Sequence, residues 1–261
     1  MLTDLCQLGT DETAAPAAVF PSAATTAGPN WRRLDYLAHG NERQRSAHAL
    51  LTAGVWDALA AQCADLALVS TLAIGLDRPG SDLDILCQHP NPAAFAATFA
   101  DQDWQASAKG ENIWLLERVF PCAADSGCDN HIASWPLELY VTPAPIETLN
   151  GWRHLTLMAA LLQHFGDAFY REVLRLRLEQ GLKGEAAMCR LLGLAGDPYA
   201  ALLTLEGRNL AELSWQPPSN DGIHTPANAA APAAQYSSPD VSTISATPVC
   251  PVSTESPTPT S

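Results

Sequence analysis

Basic residues are missing from both ends of this 261-residue chain. Residues 1–30 and 216–261 contain no Lys or Arg, so all 14 lie between Arg32 and Arg208. Each end carries three acids and the central stretch 22, for a net charge of −14. A chain of this balance lacks the basic stripe of nucleic-acid-coating proteins, so a long nucleic-acid partner is not expected. Also missing is any apolar run near the roughly 18 residues of a membrane span. The N-terminal stretch has no charged segment leading into an apolar one, the mark of a secretory leader. The expectation is a cytoplasmic protein with no membrane partner. Seven cysteines, at 6, 63, 87, 122, 128, 189 and 250, form an odd and irregular set. They do not resemble a disulfide framework, and most are expected to be reduced and buried.

What is present divides the chain. Residues 216–261, with nine prolines among Ser, Thr and Ala, have little apolar area to bury and are expected to be a disordered tail. Residues 1–30, with Ala-Ala-Pro-Ala-Ala, read as a disordered lead-in of the same kind. Between them the pattern changes once, near residue 150. Residues 31–150 mix helix and strand signals, and residues 151–215 are helical throughout. No internal repeat is present.

The individual signals are as follows. Asn41 and Gln44 form a capping-box pattern ahead of Ala47, Leu50, Leu51, Val55 and Leu59, which predicts a helix over 41–62. The apolar run from Leu66 to Ile74 predicts a strand and then a loop, and Arg78-Pro-Gly-Ser a turn. Residues 82–87 read as a second strand, 92–100 as a helix, and 112–120 and 135–141 as two further strands. Helical periodicity over 152–165, 167–180 and 185–192 is punctuated by Gly166, Gly181 and Gly193. Pro198 suits the first position of one more helix, 198–205.

The chemistry is carried by acids. Asp82 and Asp84 sit at i and i+2, so on a strand they share a face with Cα atoms about 7 Å apart. A cation between such carboxylates offsets their repulsion and part of their lost hydration. Magnesium suits hard oxygen ligands and keeps water or substrate phosphate among them. Glu138 is the single charge in the apolar strand Pro136-Leu-Glu-Leu-Tyr-Val, where a lone carboxylate is costly unless paired or metal-bound. Three converging acids are the donor set that holds two metal ions for phosphoryl or nucleotidyl transfer.

Leu68-Val-Ser-Thr followed after ten residues by Ser81-Asp-Leu-Asp-Ile, with an acid on a later strand, resembles the nucleotidyltransferase superfamily of DNA polymerase beta type. More narrowly, Leu34-Asp-Tyr-Leu, Asn41-Glu-Arg-Gln, Gly80-Ser-Asp-Leu-Asp-Ile, Trp152-Arg-His, Gly181-Leu-Lys and Gly196-Asp-Pro-Tyr resemble the bacterial family called domain of unknown function 4269. That likeness spans roughly residues 31–206. The superfamily resemblance implies an α+β fold, a nucleotidyltransferase-like mixed sheet with helices followed by a helical C-terminal lobe. It implies Asp82 and Asp84 as metal ligands, with Glu138 the best match for the third acid. It also implies that Ser70 and Thr71, ahead of Ser81, cradle nucleotide phosphates. Ser70 stands where that superfamily usually has glycine, and its Cβ narrows the backbone's approach to phosphate.

Countercharge for a phosphate tail is sought on the helical lobe, at Arg153, Lys183 and Arg190. Arg171 and Arg175, at i and i+4, read as a solvated face. Cys122, Cys128 and His131 lack zinc-knuckle spacing and read as loop residues. His154 reads as a helix-face histidine satisfied by a neighbour, and the seven tryptophans as core and rim packing.

The expected activity is magnesium- or manganese-dependent nucleotidyl transfer from a nucleoside triphosphate to a hydroxyl of a small molecule or protein. Asp82, Asp84 and Glu138 are the catalytic and metal residues, and Ser70, Thr71, Ser81, Arg153 and Lys183 the nucleotide contacts. The alternative is a non-catalytic module that binds a nucleotide or a partner through the same cleft, which Ser70 motivates. An Asp-x-Asp glycosyltransferase would need a nucleotide-binding βαβ unit before the acids, and the short region before Leu66 shows none.

Overall fold

The computed structural model describes residues 30–100, 102–121 and 134–217. The expected lead-in and tail, and the Cys122, Cys128 and His131 cluster, lie outside the described residues.

Helix α1 (Glu42–Leu50) begins with the capping box its sequence announces. Asn41 Oδ1 accepts from the Gln44 N–H at 2.9 Å, and Gln44 Oε1 accepts from the Asn41 N–H at 3.0 Å. The helix expected to run on to residue 62 is broken by a π-type turn over Leu51–Val55, where Gly54 takes φ +107°. It resumes as α2 (Trp56–Ala60). Strand β1 (Asp65–Leu68) is shorter than its apolar run, because Thr71–Ile74 winds into a 3-10 turn. The Ser70 hydroxyl caps that turn by accepting from the Leu72 N–H at 3.2 Å. Leu72, Ala73 and Ile74 are all fully buried, so burial rather than strand pairing accounts for their apolar character.

After the Arg78–Ser81 turn, closed by the Ser81 N–H on the Arg78 carbonyl at 2.9 Å, come β2 (Leu83–Gln88) and α3 (Pro92–Thr98). Gly80, at φ +82°, occupies the turn position that calls for glycine after proline. Strands β3 (Gln105–Gly110), β4 (Ile113–Pro121) and β5 (Ser134–Thr142) complete the sheet. Its order is β1-β2-β5-β4-β3, with β2 and β5 parallel and every other pair antiparallel. Strand β3 had no sequence signal. Gln-Ala-Ser-Ala-Lys-Gly is polar and exposed, and it is extended as the edge partner of β4.

One face of the sheet is apolar. Leu83, Ile85, Leu116, Leu137, Leu139 and Val141 are at most 1% exposed, and α3 joins them through Phe95, the first of a chain of ring contacts that runs by way of Phe99 and Trp104 to Phe120 of β4. Helix α1 docks on the same side, where Trp135 Nε1 donates to Ser46 Oγ at 3.0 Å. The C-terminal part is helical, with α4 (Asn150–Gln180), α5 (Gly184–Leu192) and α6 (Pro198–Leu203). The two helices expected over 152–165 and 167–180 are consecutive pieces of α4, interrupted at Gly166 (φ +73°, ψ −164°). One cluster of buried side chains runs from Trp31 to Leu205, so the sheet and the C-terminal helices share a core.

The segment that carries Ser70 to Asp84 is anchored to α1 at two points. Gln44 Nε2 donates to the Leu72 carbonyl at 3.0 Å. Arg43 ion-pairs with Asp77, whose side chain is 2% exposed, while its guanidinium lies 4.4 Å over the Trp135 ring. Removing one member of a buried pair strands the other charge, at a cost of about 3–5 kcal/mol. Arg43→Met is therefore expected to lower unfolding stability by about that amount, read from urea denaturation. A loss under 1 kcal/mol would show that Asp77 does not need this partner.

Candidate functional site

The parallel register of β2 and β5 pairs Asp84 directly with Glu138, and the antiparallel register of β5 and β4 pairs Glu138 with Glu117. Register partners point to the same side of a sheet. All three carboxylates therefore stand on the face opposite the apolar core. Asp82, two residues before Asp84 and exposed, lies just ahead of β2. The chain near it is tied to β1, because Ser70 Oγ donates to the Asp82 carbonyl at 2.7 Å and the Val69 N–H to the Asp84 carbonyl at 2.8 Å. Gly151, in the first turn of α4, lies against Val69 and Leu86 on this face. Asp84, Glu138 and Tyr140 are left half-buried beside it.

The electrostatics follow from this register. Burial, then the charge of Asp82, pushes Asp84 up to about 6, with Glu185 adding to the rise and Lys183 opposing it. Burial, then Asp84, Glu117 and Asp82, pushes Glu138 up to about 7, with Lys109 opposing. The acids thus feel one another across three strands. Among the described residues, no three His, Cys, Asp or Glu side chains form a group able to hold a metal ion as they stand.

The other sequence-derived residues fall into two sets. Ser70, Thr71, Ser81 and Lys183 lie around the acids or their supporting turn. Ser70 is buried, and its hydroxyl is committed to Asp82 and Leu72. Ser81 Oγ accepts from the Arg78 N–H at 3.0 Å. Lys183, exposed, is the cation that draws Asp84 down. Arg153 is not brought to the acids. Its guanidinium is held by Glu206, at 3.0 and 3.1 Å through Nε, and by Asn150 at 3.1 Å. Arg190 binds Gln180. His154 is buried, with Nε2 3.0 Å from the Tyr199 carbonyl, as expected of a satisfied histidine. Arg171 and Arg175 are exposed, and Arg175 pairs with Glu172 and Glu179.

Two residues escaped the sequence reading. Glu117 sits in Leu-Glu-Arg-Val, and only the register shows that it faces Glu138. Arg177 is 4% exposed, on the stripe of α4 that buries Phe169, Val173 and Leu176. Its signal was a cation on the apolar stripe of a helix, hidden by the neighbouring Arg171 and Arg175.

The family model described as Domain of unknown function (DUF4269) matches residues 48–205. The chain belongs to this family. Its match takes in β1, the acids of β2 and β5, and the C-terminal helices through α6. No curated protein and no solved structure matches the chain. Among the described residues, no helix is long and apolar enough to cross a membrane.

Acids with raised values hold more protons folded than unfolded between about pH 4 and 7. Their contribution to stability therefore falls as pH rises through that window. With divalent ions chelated, Asp84→Asn is expected to be more stable than the parent at pH 8, by of order 2 kcal/mol. The advantage is expected to shrink nearly to nothing at pH 4, where Asp84 of the folded parent is protonated and neutral. Urea melts at the two pH values measure this, and equal stability at pH 8 would contradict it.

Proposed function

We propose that the protein transfers a nucleotidyl group from a nucleoside triphosphate to a hydroxyl of a small molecule or protein, with magnesium or manganese as cofactor. The observation that carries this reading is the pairing of Asp84 with Glu138 across β2 and β5, with Asp82 acting on both. Nothing in a stable fold requires like charges to be paired in register, and burial makes the arrangement costlier.

The donor set fits a hard divalent ion, since it consists of carboxylate oxygens. It does not form a closed cage, and magnesium in phosphate chemistry usually takes one or two carboxylates and fills the rest of its shell with water and phosphate oxygens. Asp82, Asp84 and Glu138 would hold the ion, which supplies charge neutralisation at the phosphoryl oxygens when bound. The remaining roles belong to the chain. Glu138 would also accept the proton of an attacking hydroxyl. Lys183 supplies countercharge for the phosphates. Thr71 lines the turn beside them, while Ser70 and Ser81 hold that turn's shape through hydrogen bonds to the backbone.

A second reading is supported by the commitment of the Ser70 hydroxyl within the turn, to the Asp82 carbonyl and the Leu72 N–H. In that reading the same face binds a nucleotide or partner without turnover. Magnesium-dependent nucleotide binding measured by calorimetry, without product, would favour it.

The Asp82→Asn, Asp84→Asn double variant is expected to lose metal-dependent turnover by at least about a hundredfold, as for groups that stabilise transition-state charge, while remaining folded. The assay is product formation from the four labelled nucleoside triphosphates with magnesium and with manganese. Unchanged turnover would exclude the role given to the acids.

A further inference from the structure

Two cysteines that the proposed activity does not use meet where α2 joins the sheet. Cys63 lies half-buried in the turn between α2 and β1, and Cys87 lies fully buried in β2. The turn is tied to both elements. The Cys63 N–H closes α2 on the Leu59 carbonyl at 3.0 Å, and the Ala64 N–H enters the ladder on the Gln88 carbonyl at 2.8 Å. Cys87 takes the inward side of β2, since its register partners Leu66 and Val141 are both core residues. Cys63 packs against the same core from the turn.

The two thiols act on each other directly. The Cys87 S–H, as hydrogen-bond donor, draws the Cys63 thiol below its ordinary value, against burial and the charge of Asp65. Burial, then the bond to Cys63, pushes Cys87 well up. Exposure divides the pair the same way, because solvent reaches Cys63 and not Cys87. Thiolate character and exposure decide which cysteine is oxidised first, and both favour Cys63. Cys189, the other free cysteine among the described residues, is buried and donates to the Pro198 carbonyl at 3.4 Å, so its neighbour is an oxygen and not a second sulfur.

We propose that Cys63 and Cys87 form a modification site for peroxide, with Cys63 the attacked thiol and Cys87 the thiol that resolves it into a disulfide. In the first step the Cys63 thiolate attacks hydrogen peroxide. An S–O bond forms, the O–O bond breaks, hydroxide leaves, and Cys63 becomes a sulfenic acid. In the second step the Cys87 sulfur attacks the Cys63 sulfur. The S–S bond forms, the S–O bond breaks, and the departing hydroxyl leaves with the Cys87 proton as water. The thiols lose two electrons and two protons, and the peroxide that gains them ends as two waters. The movement that closes the bond falls on the turn at Cys63, because Cys87 is held between β1 and β5. The disulfide would lie on the core face of β2, opposite Asp84, so it fastens the α2–β1 turn to β2 without covering the acids. It does not depend on the activity proposed for them.

The test treats the reduced full chain with equimolar hydrogen peroxide, blocks the remaining thiols with iodoacetamide and digests it, without reductant, by a protease that cuts ahead of aspartate. Cuts at Asp65, Asp77, Asp82 and Asp84 separate the two cysteines. Mass spectrometry is expected to find residues 57–64 joined to 84–100 with the loss of two hydrogens, and dithiothreitol is expected to part them. Cys87→Ala is expected to leave Cys63 as a sulfenic acid that dimedone labels, and as a sulfinic acid in excess peroxide, where the parent forms the disulfide instead. Cys63→Ala changes only the half-buried position, so it serves if Cys87→Ala does not fold. In it Cys87 is expected to be oxidised at least about tenfold more slowly than in the parent, as for an inaccessible thiol. No 63–87 linkage in the folded parent, linkage of Cys63 to a different cysteine, or oxidation of Cys87 at the parent's rate in Cys63→Ala would overturn the proposal.

Discussion

Repulsion between carboxylates held in register is the constraint around which this structure is arranged. The parallel pairing of β2 and β5 aligns Leu83, Ile85 and Cys87 with Leu137, Leu139 and Val141 on the apolar face. The same register leaves Asp84 opposite Glu138 on the other face. A one-residue slip would separate the acids, but it would also turn a row of core side chains toward solvent. Hydrophobic burial on one side therefore holds the like charges together on the other.

Two further features concentrate charge near that face. The α1 helix fixes the segment before β2 through Gln44 on Leu72 and Arg43 on Asp77, which sets where Ser70, Ser81 and Asp82 stand. The connection from α4 to α5 brings Lys183, Glu185, Arg78 and Arg177 to the same end of the molecule. Lys183 is the one of these cations that opposes the rise of Asp84.

Much of this was legible in the residues. Asn41 and Gln44 announced the capping box, and Pro79 and Gly80 the turn. The failures have physical reasons. Gln105–Gly110 has no periodicity because an exposed edge strand is held by its neighbour's backbone, not by a buried face. The run 71–74 looks like a strand because its side chains are apolar, yet the Ser70 cap and complete burial favour a 3-10 turn. Arg153 looked available because its partner Glu206 lies 53 positions away in the chain.

Local spacing by itself determined that Asp82 and Asp84 could act as a pair, and composition determined the excess of acids over bases. Which acids face one another, and which cation of α4 is buried, was decided only by the tertiary structure. Glu117 and Arg177 gain their meaning from strand register and helix packing between residues far apart in sequence, and no short-range pattern encodes those contacts.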